Sequence, residues 1–127
     1  MNLTTQIEKD LRKLSSPARA KQNAYFFKTG KGQYGEGDKF IGVSVPDTRT
    51  VVRKYFEVAT LVDVKTLLYS PFHELRLVAV LILVAKYVRA DNAEKKKIFK
   101  FYMANAKQVN NWDLVDSSAP YIVGEYI

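Results

Sequence analysis

The sequence predicts an all-α domain, and three observations carry that expectation. Apolar residues recur at the three-to-four-residue spacing of an amphipathic helix in segment after segment. Helix-start chemistry, a Ser, Thr, Asp or Asn set just before a proline or an acid, punctuates those segments at short intervals. No alternation of apolar and polar residues long enough for a strand occurs anywhere in the 127 residues. Helices that follow one another through short loops bury their apolar stripes against each other, which is the all-α solution.

Taken in order, residues 3–14 place Leu3, Ile7, Leu11 and Leu14 on one helical stripe. Ser16-Pro17 is a cap followed by proline at a first helical position, where its missing N–H costs nothing, and opens a second helix to about Lys28. Five glycines between Gly30 and Gly42 then demand an irregular connector. Gly30-x-Gly32-x-x-Gly35 matches a dinucleotide fingerprint in letters only, because a helix precedes it where a strand is required. Pro46-Asp47 opens the next helix, with Val51, Val52, Tyr55, Phe56 and Ala59 in helical period, and Thr60 with Asp63 restarts a short one through Leu67-Leu68. Ser70-Pro71 repeats the cap-then-proline signal ahead of the most apolar helix, hydrophobic on nearly every side from Leu75 to Val88. Asp91-x-x-Glu94 leads a helix whose Ile98, Phe99, Tyr102, Met103 and Ala106 share one arc, with Lys96, Lys100 and Lys107 opposite. The last segment starts at Asn110-Asn111, about the ~40-residue period of two-helix repeats after Ser70-Pro71.

Composition narrows the chemistry. With 47% apolar and 13% aromatic residues the chain can build a core. Lacking cysteine and holding one histidine, His73, it offers no zinc site of sulfur type and no His-pair metal motif, so no metal or other cofactor is expected. The longest apolar run, Leu77 to Ala85, is nine residues and falls well short of a bilayer span, so no membrane partner is expected. The N-terminus lacks the apolar stretch of a signal peptide, which points to the cytoplasm. Twenty Lys plus Arg against 13 Asp plus Glu give a net charge of +7, spread evenly over both halves, which favours a polyanionic partner.

Few residues could carry chemistry. His73 could serve as a base or as packing, and with no nucleophile motif around it packing is the expectation. Lys96, Lys100 and Lys107 either meet phosphates or form a solvated helix face. Trp112 and Asp116 are four apart and share a helical face, which sets the only tryptophan beside a carboxylate. Pro120 should bend the helix just after them. Residue chemistry leaves two readings open here: an aromatic–carboxylate site, or a helix start whose acids suit the dipole and whose tryptophan is core.

Three ordered blocks resemble the DNA alkylation repair family, the AlkD-like DNA glycosylases. They are Phe26-Phe27-Lys28-Thr29-Gly30-Lys31-Gly32-Gln33-Tyr34-Gly35-Glu36-Gly37-Asp38-Lys39-Phe40-Ile41-Gly42-Val43 with Pro46-x-x-Arg49, then His73-Glu74-Leu75-Arg76, then Asn110-Asn111-Trp112-Asp113-Leu114-Val115-Asp116. The resemblance implies a superhelix of HEAT-like helical repeats whose basic concave groove holds duplex DNA. It implies excision of bases alkylated at N3 or N7, which already carry positive charge and leave without protonation. Asp116 would be the carboxylate that stabilises an oxocarbenium-like sugar and places water, and Trp112 the aromatic wall. Asp113 would be a helix-start acid.

The chain departs from the family in length, since members have later repeats that bring a second tryptophan and DNA-gripping arginines. Asn111 stands where some members have another tryptophan, and Phe26 where some have a tyrosine near the lesion. The expectation is therefore one HEAT-like domain over residues 1–127, the N-terminal portion of a longer repair domain, an incomplete solenoid able to self-associate through its open end. Two other functions fit the same fold: a non-catalytic DNA-binding member, and a helical-repeat module that binds protein.

Overall fold

A computed structural model describes residues 2–26, 39–109 and 122, with the backbone alone over 22–26. Among the described residues the regular structure is helical: α1 (Leu3–Lys13), α2 (Pro17–Phe26), α3 (Val45–Tyr55), α4 (Leu61–Leu68), α5 (His73–Arg89) and α6 (Asn92–Ala104), followed by a 3-10 turn at Ala106–Gln108.

Ser16, Thr60 and Asp91 are the caps the sequence announces, and the structure adds Asn2 and Ser44. Asn2 accepts the Thr5 N–H at 2.9 Å, and the Ser16 hydroxyl accepts the Arg19 N–H at 3.3 Å ahead of Pro17. Ser44 caps α3 from one residue earlier than Pro46, accepting the Asp47 N–H at 3.2 Å. Thr60 and Asp63 form a reciprocal capping box, at 3.2 Å in one direction and 3.0 Å in the other. Asp91 accepts the Glu94 N–H at 2.9 Å.

Helix α5 is the exception, for it starts at His73 and not at Pro71. The Ser70 hydroxyl is used in a local turn, accepting the Phe72 N–H at 3.1 Å. The backbone on either side of Phe72 is meanwhile paired with Lys39: the Lys39 N–H donates to the Pro71 carbonyl at 3.2 Å, and the His73 N–H donates to the Lys39 carbonyl at 2.8 Å. This short parallel bridge holds residues 71–72 extended and satisfies the first helical donor from a distant segment, so no side-chain cap is needed.

The core gathers around α5, which packs against α3, α4 and α6, while α1 lies on α3 and α4. Every residue from His73 to Leu83 is buried, as the run of apolar residues requires. Beyond Leu83 the burial narrows to one side: Tyr87 is enclosed, but Val88 is 60% exposed, so the helix is not apolar-packed over its whole length. Each fully enclosed Leu, Ile or Val contributes roughly 1.5–3 kcal/mol by leaving water. On α6 the buried arc is Ile98 and Tyr102, continued by Asn105; Met103 is 50% exposed and Ala106 lies in the 3-10 turn, so both fall outside the arc expected of them. Leu14 likewise ends as an exposed C-cap to α1, leaving Ile7 and Leu11 to carry that stripe inward.

Candidate nucleic-acid interface

The second resemblance block is structural. Glu74 is 2% exposed, and its carboxylate accepts three consecutive backbone N–H groups, from Ile41 at 2.8 Å, Gly42 at 2.8 Å and Val43 at 3.1 Å. His73 is buried with its ring against Phe40, centroids 5.0 Å apart. Packing is thus its observed role, as the absence of a nucleophile motif suggests. Arg76 donates to the Ser70 carbonyl at 3.1 Å, and burial holds its guanidinium below the ordinary pKa. The block therefore ties the start of α5 to the segment that leaves the glycine-rich stretch.

The basic residues divide into those held by neighbours and those facing water. On α3, Lys54 is drawn to Asp10 of α1 at 3.0 Å, and Tyr55 donates its hydroxyl to the same carboxylate at 2.5 Å. On α6, Lys97 lies 3.6 Å from Glu94, and Lys95 sits over the Tyr87 ring at 5.1 Å. Arg12 of α1 pairs with Glu8 at 2.9 Å and covers the Phe72 ring at 5.0 Å. Lys96 and Lys100 remain exposed, four apart and opposite the buried Ile98 and Tyr102, as their spacing predicts. Lys107 is exposed too, but α6 ends at Ala104, so it stands on the separate 3-10 turn and does not share the helix face with them.

A second exposed basic pair was missed at the level of sequence. Arg49 and Arg53 are four apart on α3, away from Val51, Val52 and Tyr55, with Arg53 donating to the Thr50 hydroxyl at 3.1 Å. The signal was present, since the same helical period that places the valines inward turns these arginines outward. An open cleft of about 610 Å³ separates the turn after α3 from the start of α6, floored by Phe56, Ala59, Leu61 and Ile98. Arg89 covers Phe56 there at 4.6 Å. Among the described residues no cluster of three metal-ligating side chains occurs, and no helix is long and apolar enough to cross a membrane.

A family model described as DNA alkylation repair enzyme matches residues 7–127, nearly the whole chain. The chain belongs to the DNA alkylation repair enzyme family. No curated protein and no solved structure matches it significantly. The family match runs through all three blocks read from the sequence, including the stretch that holds Trp112 and Asp116. Those two residues, with Asn110, Asn111 and Asp113, lie outside the described residues; Phe26 is the last residue of α2. As a member of this family the chain has a place in repair of alkylated DNA, with DNA as the partner that membership implies.

Proposed function

We propose that this protein takes part in excising N3- or N7-alkylated bases from duplex DNA as a DNA glycosylase, with Asp116 as the carboxylate beside the sugar and Trp112 as its aromatic wall. The observation that carries the reading is the family match across residues 7–127, which includes both side chains. A cationic base is already a good leaving group, so the demand on the protein is electrostatic: a fixed negative charge where the sugar becomes positive. An aromatic face adds about 0.5–2 kcal/mol of cation–π attraction.

The packing supports a HEAT-like arrangement for this reading. α1 lies against α3, and α4 against α5, as two helical pairs; α3 touches α5 and α1 touches α4 between the pairs. Helical pairs stacked with like helices side by side are how successive repeats of a solenoid pack. On this view residues 1–127 are one HEAT-like domain. Lys96, Lys100 and Lys107, together with Arg49 and Arg53, are the side chains offered to phosphates, and the work is done in the cytoplasm on the nucleoid.

The test is base release by this protein from a duplex carrying N7-methylguanine or N3-methyladenine under single-turnover conditions. Asp116→Asn should nearly abolish release while leaving DNA affinity intact, because an amide keeps shape but removes the charge that opposes the sugar cation. Trp112→Ala should cost less. Release by Asp116→Asn at the wild-type rate would return Asp116 to an ordinary acid near a helix start.

A further inference from the structure

Three consecutive N–H groups converging on one carboxylate make a backbone nest, the concave arrangement that otherwise captures free anions. Here the anion is internal. One Glu74 oxygen takes the Ile41 N–H, and the other takes those of Gly42 and Val43, all charge-assisted and out of water. The turn that lets the donors converge passes through Gly42, whose φ is +97°.

On its far side Gly42 is pressed against α2. The Ser16 N–H donates to the Gly42 carbonyl at 2.8 Å, and a Cβ on Gly42 would lie 2.2 Å from the Ser16 carbonyl oxygen. That same oxygen accepts the first helical bond of α2, from the Ala20 N–H at 2.9 Å. The first turn of α2, Gly42 and Glu74 thus form one chain of contacts. The two bonds of the Lys39 bridge also tie segment 39–43 to the neighbourhood of α5.

From this geometry we infer that Glu74 is a latch: it holds segment 39–43 and the first turn of α2 as one unit on the start of α5, and its release lets that unit open while the core of α3, α4 and α5 stays folded. Most of the core cluster comes from outside the latched segment, which adds Ile41 and Val43 to it. Val78, Val80, Ile82 and Leu83 are fully enclosed on a helix packed by α3 and α4. Sub-global opening of this kind occurs where polar ties are concentrated and apolar contact is sparse. The apolar contacts of 39–43 are those of Ile41 and Val43 in the core cluster and of the Phe40 ring on His73, fewer than those that hold the middle of α5.

Amide hydrogen exchange of the whole chain tests the latch, with two variants. Glu74→Gln keeps the volume but turns an NH2 donor toward backbone donors. Glu74→Asp keeps a negative charge in the first turn of α5, favourable to the helix dipole, but is one methylene too short to fill the nest. In both, exchange at Ile41, Gly42, Val43 and Ala20 should accelerate at least about tenfold, while Val80 and Ile82 change by less than about threefold. Should one variant fail to fold, the other decides. Equal acceleration at Val80 and Ile82 would mean that Glu74 supports only global stability, and unchanged exchange at 41–43 would mean that the carboxylate does not hold the segment; either result overturns the inference.

Discussion

At Gly42 a side chain has neither a conformation nor a place. With φ at +97°, and a Cβ position 2.2 Å from the Ser16 oxygen and 2.9 Å from the Ala20 nitrogen, Gly42→Ala should destabilise by at least about 2 kcal/mol, read as a lower urea midpoint at unchanged slope. Asp10 gives a second residue-level expectation. The Tyr55 hydroxyl, then Lys54, hold its carboxylate below the ordinary value of 3.8. A lowered folded pKa means stability present above the unfolded value and lost as pH falls through the folded one. The wild type should therefore exceed Asp10→Asn by a constant margin between about pH 5 and about pH 9, and the margin should shrink as pH falls through the unfolded value and vanish below the lowered folded one. Tyr55 and Lys54 are shifted upward by the same contact, so their share persists to neutral pH and fades only as alkaline pH passes through their raised values. Thermal unfolding of the two proteins across pH checks both limbs. None of this was visible in the sequence, where Asp10 and Tyr55 are 45 residues apart.

At the scale of elements, capping was legible because it is local: a cap needs only a side chain and the N–H two or three residues on. Thr60 and Asp63 satisfy each other within four residues of chain, and Thr60→Ala should cost α4 about 1 kcal/mol in thermal unfolding. The start of α5 was misread for the complementary reason. Ser70-Pro71 has the right letters, but the donor of His73 is met by Lys39, more than thirty residues away, and a remote partner leaves no mark on local spacing. The lysine face of α6 was read correctly for Lys96 and Lys100, and broken at Lys107 where the helix turns into 3-10 geometry after Ala104. Reversing Lys96 and Lys100 to Glu, or Arg49 and Arg53 to Glu, should weaken duplex binding whatever the sequence. Every phosphate that is no longer neutralised should make the negative slope of log affinity against log salt shallower by about 0.9. An unchanged slope would mark the altered pair as a solvated face.

For the whole molecule, the family and the helical class were reachable from the sequence, and the pairing of helices was not. Ile122 is fully buried, so at this residue the final segment gives no exposed apolar surface for the self-association expected of an open end. By itself the sequence determined the helical periods, most of the caps, the basic balance and the blocks that mark DNA alkylation repair, since each is a property of residues near one another in the chain. Only the tertiary structure decided that Glu74 seats Ile41, Gly42 and Val43, that Asp10 joins Tyr55 and Lys54, and that Lys39 starts α5. These contacts form because helix packing brings distant segments within hydrogen-bond reach, and a buried carboxylate or backbone group must then find its partner there, in the absence of water.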